Sequence, residues 1–210
     1  MKKNTFLYVL RLALTLLAIT AIMAAALALV NRLTADRIAE VSQEKKEQAI
    51  RQVMRVPSME LSEVPFTDDT GLVKKVYRTE EYYYGCEYPA DGNFDGYDFF
   101  ARDYVVEVEV MGFNGPITMM ISLDQGQAVW GLSIVSHTET AGLGAVAAAD
   151  SDAGKAFRSQ FAYLSDAVAV TKDGGEVDAI TGATVTSRAI CKGVNAALAC
   201  VEKLQQEVGA

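Results

Sequence analysis

Tyr104-Val105-Val106-Glu107-Val108-Glu109-Val110 alternates valine and glutamate over its last five residues. A repeat of two belongs to an extended strand with one face in a core and the other in solvent. Val106, Val108 and Val110 are therefore expected inside, and Glu107 and Glu109 outside, on a half-buried strand. Moving outward, Gly112, Asn114, Gly115 and Pro116 read as a turn and residues 117–123 as the next strand. Asp124-Gln125-Gly126 turns the chain again, and residues 128–136 form a third strand. Connections this short permit only an antiparallel meander. Further on, residues 151–163 look helical, 167–170 form a short apolar strand and 172–176 a turn. From Ser187 to about Glu207, Ile190, Val194, Leu198, Val201 and Leu204 recur at helical spacing. No internal repeat interrupts this order, and the fold class is α+β.

The N-terminus is a different physical object. Residues 1–31 contain Lys2, Lys3 and Arg11 and no acid, and Leu12 to Val30 is apolar apart from Thr15 and Thr20. About 20 apolar helical residues cross a bilayer, and both threonines can bond back to the preceding turn. The run is longer than the core of a cleaved signal peptide, which favours a retained anchor although Ala24-Ala25-Ala26 offers small residues. Three cations precede the span, and Arg32, Arg37, Lys45 and Lys46 follow it, so the charge count leaves the orientation open. From Asn31 to about Val56 an imperfect stripe of Leu33, Ile38, Val41, Ile50, Val53 and Met54 continues the helix as a stalk, which Pro57 and Pro65 end.

Composition narrows the chemistry. A net charge of −8 over 210 residues argues against a nucleic-acid partner. One histidine and three cysteines, none in a C-x-x-C pair, supply neither a multi-histidine metal site nor a four-thiolate cluster. Cys191 and Cys200 are expected to pack as small hydrophobes. Residues 77–104 gather seven of the nine tyrosines and read as a hairpin or loop. Asp91, Asn93, Asp95 and Gly96 imitate the start of a calcium loop, but Arg102 stands where the bidentate glutamate belongs, so no metal is expected.

Two segments remain as candidates for chemistry. His137-Thr138-Glu139-Thr140-Ala141-Gly142-Leu143-Gly144 follows the third strand. Its glycines allow close approach of a flat ligand, Thr140 offers a hydroxyl, Glu139 an acceptor, and His137 a side chain that can hydrogen-bond the loop in place. No G-x-S-x-G elbow accompanies Ser133 or Ser136, which argues against a hydrolase triad. Asp178-Ala179-Ile180-Thr181-Gly182-Ala183-Thr184-Val185-Thr186-Ser187 precedes the long helix. A helix N-terminus attracts phosphate, and the hydroxyls of Thr181, Thr184, Thr186 and Ser187 can add donors. No Walker lysine is present. The plain alternative is N-capping by Thr186 or Ser187.

Taken together, these two segments resemble the FMN-binding domains that a flavin transferase modifies. The pattern Asp-x-x-Thr-Gly-Ala-Thr-x-Thr, from Asp178 to Thr186, is similar to the modified motif. The 137–144 loop is similar to a flavin-contacting loop that usually has proline where Ala141 stands. The resemblance extends over nearly the whole chain and is greatest to the RnfG family of Rnf electron transport complexes. It implies a transmembrane anchor over 1–31, a stalk or packing helix over 32–65 and an FMN-binding α+β domain over 66–210, with an antiparallel sheet and a C-terminal helix. It also implies one FMN per chain, held as a phosphoester on Thr184 and flanked by Asp178, Thr181, Gly182, Ala183, Thr186 and Ser187. His137, Glu139, Thr140, Gly142, Leu143 and Gly144 would lie against the flavin. The implied role is electron relay between ferredoxin and NAD in an ion-translocating membrane complex, without an acid–base active site of its own. Subunits A, B, C, D and E, a flavin transferase and membrane lipid are the implied partners, and the flavin domain would lie outside the cytoplasmic membrane. An NqrC-like flavodomain of a sodium-pumping NADH:quinone oxidoreductase and a flavin-free anchored adaptor are the competing readings.

Overall fold

The structure is a computed structural model that describes residues 2–54, 60–66, 68, 70–79, 82–84, 99–101 and 103–208. Helix α1 runs Lys2–Val53. Strands follow as β1 Leu61–Val64, β2 Val73–Thr79, β3 Tyr82–Tyr84, β4 Phe99–Ala101, β5 Tyr104–Met111, β6 Pro116–Leu123 and β7 Val129–Ser136. Helices α2, Asp152–Ser159, and α3, Thr184–Val208, complete the chain with short 3-10 turns at Gly144–Ala148 and Thr171–Asp173. Residues 1–45 and 46–210 form two compact units.

In the first unit, α1 is long and apolar enough to cross a membrane, with a mean hydropathy of 2.5 in its most apolar window. Its large apolar side chains are exposed, Leu16 and Ile22 among them, as a lipid-facing helix requires. The polar interruptions are satisfied within the helix. Thr15 Oγ1 donates to the Leu12 carbonyl at 2.8 Å and Thr20 Oγ1 to that of Leu16 at 3.0 Å. The helix ends at Val53, slightly before the expected limit.

In the second unit the meander is present and extended. The sheet has five antiparallel strands in the order β1-β2-β5-β6-β7. β5 pairs with β6 from Tyr104↔Leu123 to Met111↔Pro116, and β6 with β7 through Met120↔Ser133 and Ile121↔Leu132. Two strands were not expected. β1 lies in the segment assigned to the stalk, and β2 beside β5 through Val76↔Val106. β3 and β4 form a separate antiparallel pair inside the tyrosine-rich stretch. Cys86 and the calcium-like residues Asp91 to Gly96 lie outside the described residues.

Helix α3 packs on one face of the sheet. Val106, Val108, Val110, Ile117, Met119 and Ile121 meet Ile190, Val194, Ala197 and Val201 there, all 2% exposed or less. Cys191 and Cys200 are free thiols in the same core, and burial raises them to about 11 and about 12. The opposite face corrects the half-buried expectation for β5. The last turns of α1 cover it with Ala49, Val53 and Met54 against Val105 and Met120. Glu107 is therefore buried, and its carboxylate pairs with Lys46 Nζ at 2.7 Å.

Three local expectations also change. Helix α2 is capped by Ser151, whose hydroxyl accepts from Gly154 N–H, and it stops at Ser159 rather than Tyr163. Residues 167–170 form no strand; Val170 makes only an isolated parallel bridge to Val177. The long helix begins at Thr184, three residues before the expected start.

Candidate functional site

Gly182 sets the entry to α3. The Ala183 N–H donates to the Ile180 carbonyl at 2.9 Å, closing a turn whose third residue is Gly182 at φ +77°. A turn of this kind favours glycine at that place. The chain then enters the helix at once, so Thr184 stands in the first turn, where N–H groups have no helical acceptor. Thr186 and Ser187 are not caps. Ser187 Oγ accepts from Ile180 N–H and donates to the Ala183 carbonyl at 3.1 Å, bracing the turn from inside. Thr186 is 1% exposed and donates its hydroxyl to Glu139 Oε2 at 2.6 Å.

Glu139 ties three elements together. Its Oε2 accepts from Thr186 on α3, while Oε1 accepts from the N–H groups of Phe113 at 2.8 Å and Asn114 at 3.1 Å in the β5–β6 turn. The carboxylate is only 9% exposed and is held by neutral donors. Room for it comes from two glycines. A Cβ on Gly112 would strike Glu139 Oε1, and one on Gly144 would strike both Glu139 Oε2 and Thr186 Oγ1. The loop carrying Glu139 is fixed locally as well. His137 Nδ1 accepts from Glu139 N–H at 3.2 Å, as expected of a histidine that holds its own loop. Asn114 Nδ2 donates to Thr140 Oγ1 at 2.7 Å.

These contacts enclose a cleft of about 360 Å³, within the ordinary range of about 300–1,000 Å³ for small-molecule sites. Of the expected site residues, Glu139, Thr140, Leu143, Gly144, Gly182, Ala183, Thr184 and Thr186 line it. Thr181, Ser187, Asp178, His137 and Gly142 do not. Ser187 and His137 act behind the wall, and the Asp178 backbone is held by the Gln160 side chain, whose Oε1 accepts from Asp178 N–H at 2.7 Å. Three further lining residues were not anticipated: Phe113, Lys172 and Val185. Phe113 is 69% exposed, Val185 48% and Leu143 43%, so apolar surface is concentrated around the opening. Lys172 Nζ donates to Thr184 Oγ1 at 3.4 Å. Phe113 and Lys172 carry no local signal, because each reaches the cleft from an element outside the two motifs. Val185 stands at an unspecified place within the threonine motif, and only its exposure at the opening marks it.

A hydroxyl beside an ammonium group, next to a helix N-terminus and an exposed apolar rim, suits a ligand with a phosphate at one end and a flat ring at the other. FMN has that form, and the residues present fit it.

Comparison with known proteins agrees with this geometry. Residues 112–199 match the FMN-binding domain, and residues 1–53 match the RnfG N-terminal region. The chain is 34% identical over 193 residues to the G subunit of an ion-translocating oxidoreductase complex of Stutzerimonas stutzeri, covering 89% of this chain and 78% of that one. It is 28% identical over 207 residues to the G subunit of the Na(+)-translocating ferredoxin:NAD(+) oxidoreductase complex of Acetobacterium woodii, covering 94% of each. Over 99 residues it is 43% identical to the G subunit of a proton-translocating ferredoxin:NAD(+) oxidoreductase complex of Clostridium ljungdahlii, with 45% of this chain and 51% of that one covered.

Proposed function

Because the chain belongs to the RnfG family of ion-translocating oxidoreductase complexes, and is thus an electron-transfer subunit with an FMN-binding domain, we propose that it carries its FMN covalently. The flavin is linked through its phosphate to Thr184 and relays single electrons within the complex. The observation that carries this reading is the position of Thr184. Its hydroxyl faces the cleft beside Lys172, while the neighbouring Ala183, Thr186 and Ser187 are buried and Thr186 and Ser187 are committed to internal hydrogen bonds.

When bound, FMN supplies the redox chemistry, and the protein supplies position and environment. Glu139 holds the β5–β6 turn, its own loop and the start of α3 in one arrangement, and would thereby fix the walls that hold the flavin. Phe113, Leu143 and Val185 form an apolar rim at the opening that would pack against the ring and limit its contact with water. Thr140 and the backbone of Gly144 border the same space. No residue of the cleft is needed as a proton donor or acceptor.

The domain works on the extracytoplasmic side of the membrane, anchored by α1 in lipid, with ferredoxin and NAD as the terminal electron partners of the complex. Covalent attachment suits that side, since no cytoplasmic FMN pool could replace a lost cofactor. The partners are subunits A, B, C, D and E, and a flavin transferase installs the cofactor. The test is the intact mass of the full chain co-expressed with a flavin transferase, beside Thr184→Val. The wild type is expected to gain one FMN less one water and the variant nothing. An unmodified wild type, with the transferase active on a control, overturns the reading.

A further inference from the structure

Lys172 and its surroundings are unexplained by the threonine motif, which begins six residues later. Lys172 lies in the 3-10 turn Thr171–Asp173 and is exposed. Among the described residues it makes no ion pair. Its ammonium is nonetheless held at the cleft, 3.4 Å from the Thr184 hydroxyl oxygen. The next residue supplies the reason. Asp173 takes a two-pronged ion pair from Arg188, with Nε to Oδ2 at 2.6 Å and Nη2 to Oδ1 at 2.7 Å. Arg188 lies four residues after Thr184, one helical turn along the same side of α3. The pair fastens the 3-10 turn to α3 beside the Thr184 hydroxyl. Asp173 is held below its ordinary value by its bond to Arg188, so the fastening persists across neutral pH.

We propose that Lys172 is the residue that holds the phosphate linked through Thr184, and that the Asp173–Arg188 pair positions it for that task. The inference rests on the assignment of the flavin phosphate to Thr184. Two features favour Lys172 over other cations. Arg188 has two of its guanidinium nitrogens already engaged with Asp173, whereas Lys172, although the charge of the adjacent Asp173 acts on it, makes no direct ion pair among the described residues. The one acid of the cleft, Glu139, has both oxygens in hydrogen bonds from Phe113, Asn114 and Thr186 and makes no ion pair among the described residues. A phosphate linked at Thr184 Oγ1 would keep one negative charge, and the Lys172 ammonium, 3.4 Å from that oxygen, would be the cation placed to hold it. A charge-assisted hydrogen bond of that kind favours the linked product and orients it.

The test compares full-length wild type, Lys172→Met, Lys172→Arg, Arg188→Met and the control Lys192→Met, about two helical turns along α3 from Thr184. Each is co-expressed briefly with the flavin transferase, and the loaded fraction is read by intact mass. The 31P resonance of the linked phosphate is then recorded on the loaded proteins. Loading of Lys172→Met is expected to fall about tenfold, the scale of one charge-assisted hydrogen bond at an exposed site. Lys172→Arg is expected within about twofold of wild type, with a 31P position between those of wild type and Lys172→Met. Arg188→Met is expected to fall less than Lys172→Met, and Lys192→Met to match wild type. Loading and 31P position in Lys172→Met that equal those of wild type overturn the inference while leaving the Thr184 assignment standing. So does a Lys172→Arg protein as impaired as Lys172→Met, which makes the side chain's shape rather than its charge the cause. Arg188→Met failing where Lys172→Met is normal transfers the role to Arg188. An unloaded wild type overturns the Thr184 assignment itself.

Discussion

Two buried glutamates in the same sheet domain are treated in opposite ways. Glu139 meets three neutral donors from two other elements, and both of its oxygens are satisfied. Glu107 makes an ion pair with Lys46, whose side chain is 30% exposed, and stands across the strand pair from a second cation, Lys75; among the described residues its Oε2 has no hydrogen-bond partner. The first arrangement fixes position in three directions. The second neutralises charge but leaves direction to a flexible side chain. The carboxylate at the cleft is the one built for geometry, and the carboxylate under the end of α1 is the one built for charge.

This contrast sets the scale of the mutational effects. Glu139→Ala leaves two backbone N–H groups and the buried Thr186 hydroxyl without an acceptor, and is expected to cost about 4 kcal/mol. Urea unfolding of the full chain in nonionic detergent, followed by the fluorescence of the single Trp130, measures it. A loss under about 1 kcal/mol, the worth of a single ordinary hydrogen bond, would show that the Glu139 contacts do not fix the cleft. Lys46→Met takes the ion-pair partner from a buried Glu107, and is expected to cost about 2 kcal/mol, reduced from the fully buried case by the exposure of Lys46 and by the charge of Lys75 on the neighbouring strand. The double variant Lys46→Met, Glu107→Met is expected to recover most of that loss, because no charge then remains to be desolvated. No such recovery is expected when Glu139→Met is combined with Thr186→Val, since Phe113 and Asn114 still lose their acceptor. A recovery there as large as at Glu107 would erase the distinction.

A third carboxylate gives the smallest effect and a pH signature. Asp68 accepts from the N–H groups of Thr70, Leu72 and Val73 and from the Thr70 hydroxyl. Burial alone would raise its pKa, but these bonds outweigh it and bring the value from 3.8 down to about 2. A depressed carboxyl contributes stability that is present above the unfolded value and lost as pH falls through the folded one. Asp68→Asn is therefore expected to cost about 1 kcal/mol at neutral pH. The difference from wild type should shrink between about pH 4 and pH 2. Unfolding midpoints of both proteins across that interval check it, and a constant difference would contradict it.

The central strands were readable because alternation of valine and glutamate between glycine-rich turns has one reading. What covers the outer face was not readable in β5 itself. Glu107 looks like a solvent residue until Lys46, Ala49 and Val53 from a helix far earlier in the chain are laid over it. Strands β1 and β2 carry no clear local signal because Ser62-Glu63 and Lys74-Lys75 break their apolar pattern, and the pairing of β1 to β2 and of β2 to β5, rather than local propensity, makes them strands. The start of α3 is not legible at Thr184 because Thr184-Val185-Thr186 are weak helix formers. The turn at Gly182 and the buried Thr186–Glu139 bond override that preference. At the cleft, the two motifs were legible as motifs. Phe113 and Lys172 were not, since their contribution exists only once a hairpin turn and a 3-10 turn are folded against α3.

The steric demand of the Glu139 carboxylate also has a consequence for descent. Positions 112, 139 and 144 are sterically linked: a side chain at either glycine requires the Glu139 carboxylate to move out of its hydrogen bonds, together with Ile117 at the first and Thr186 at the second. Relatives that keep a glutamate at the position of Glu139 are expected to keep both glycines, and a drift at either glycine should be accompanied by a change at the acid. Covariation among these three columns, more than the invariance of any one of them, is the trace this knot should leave in a lineage.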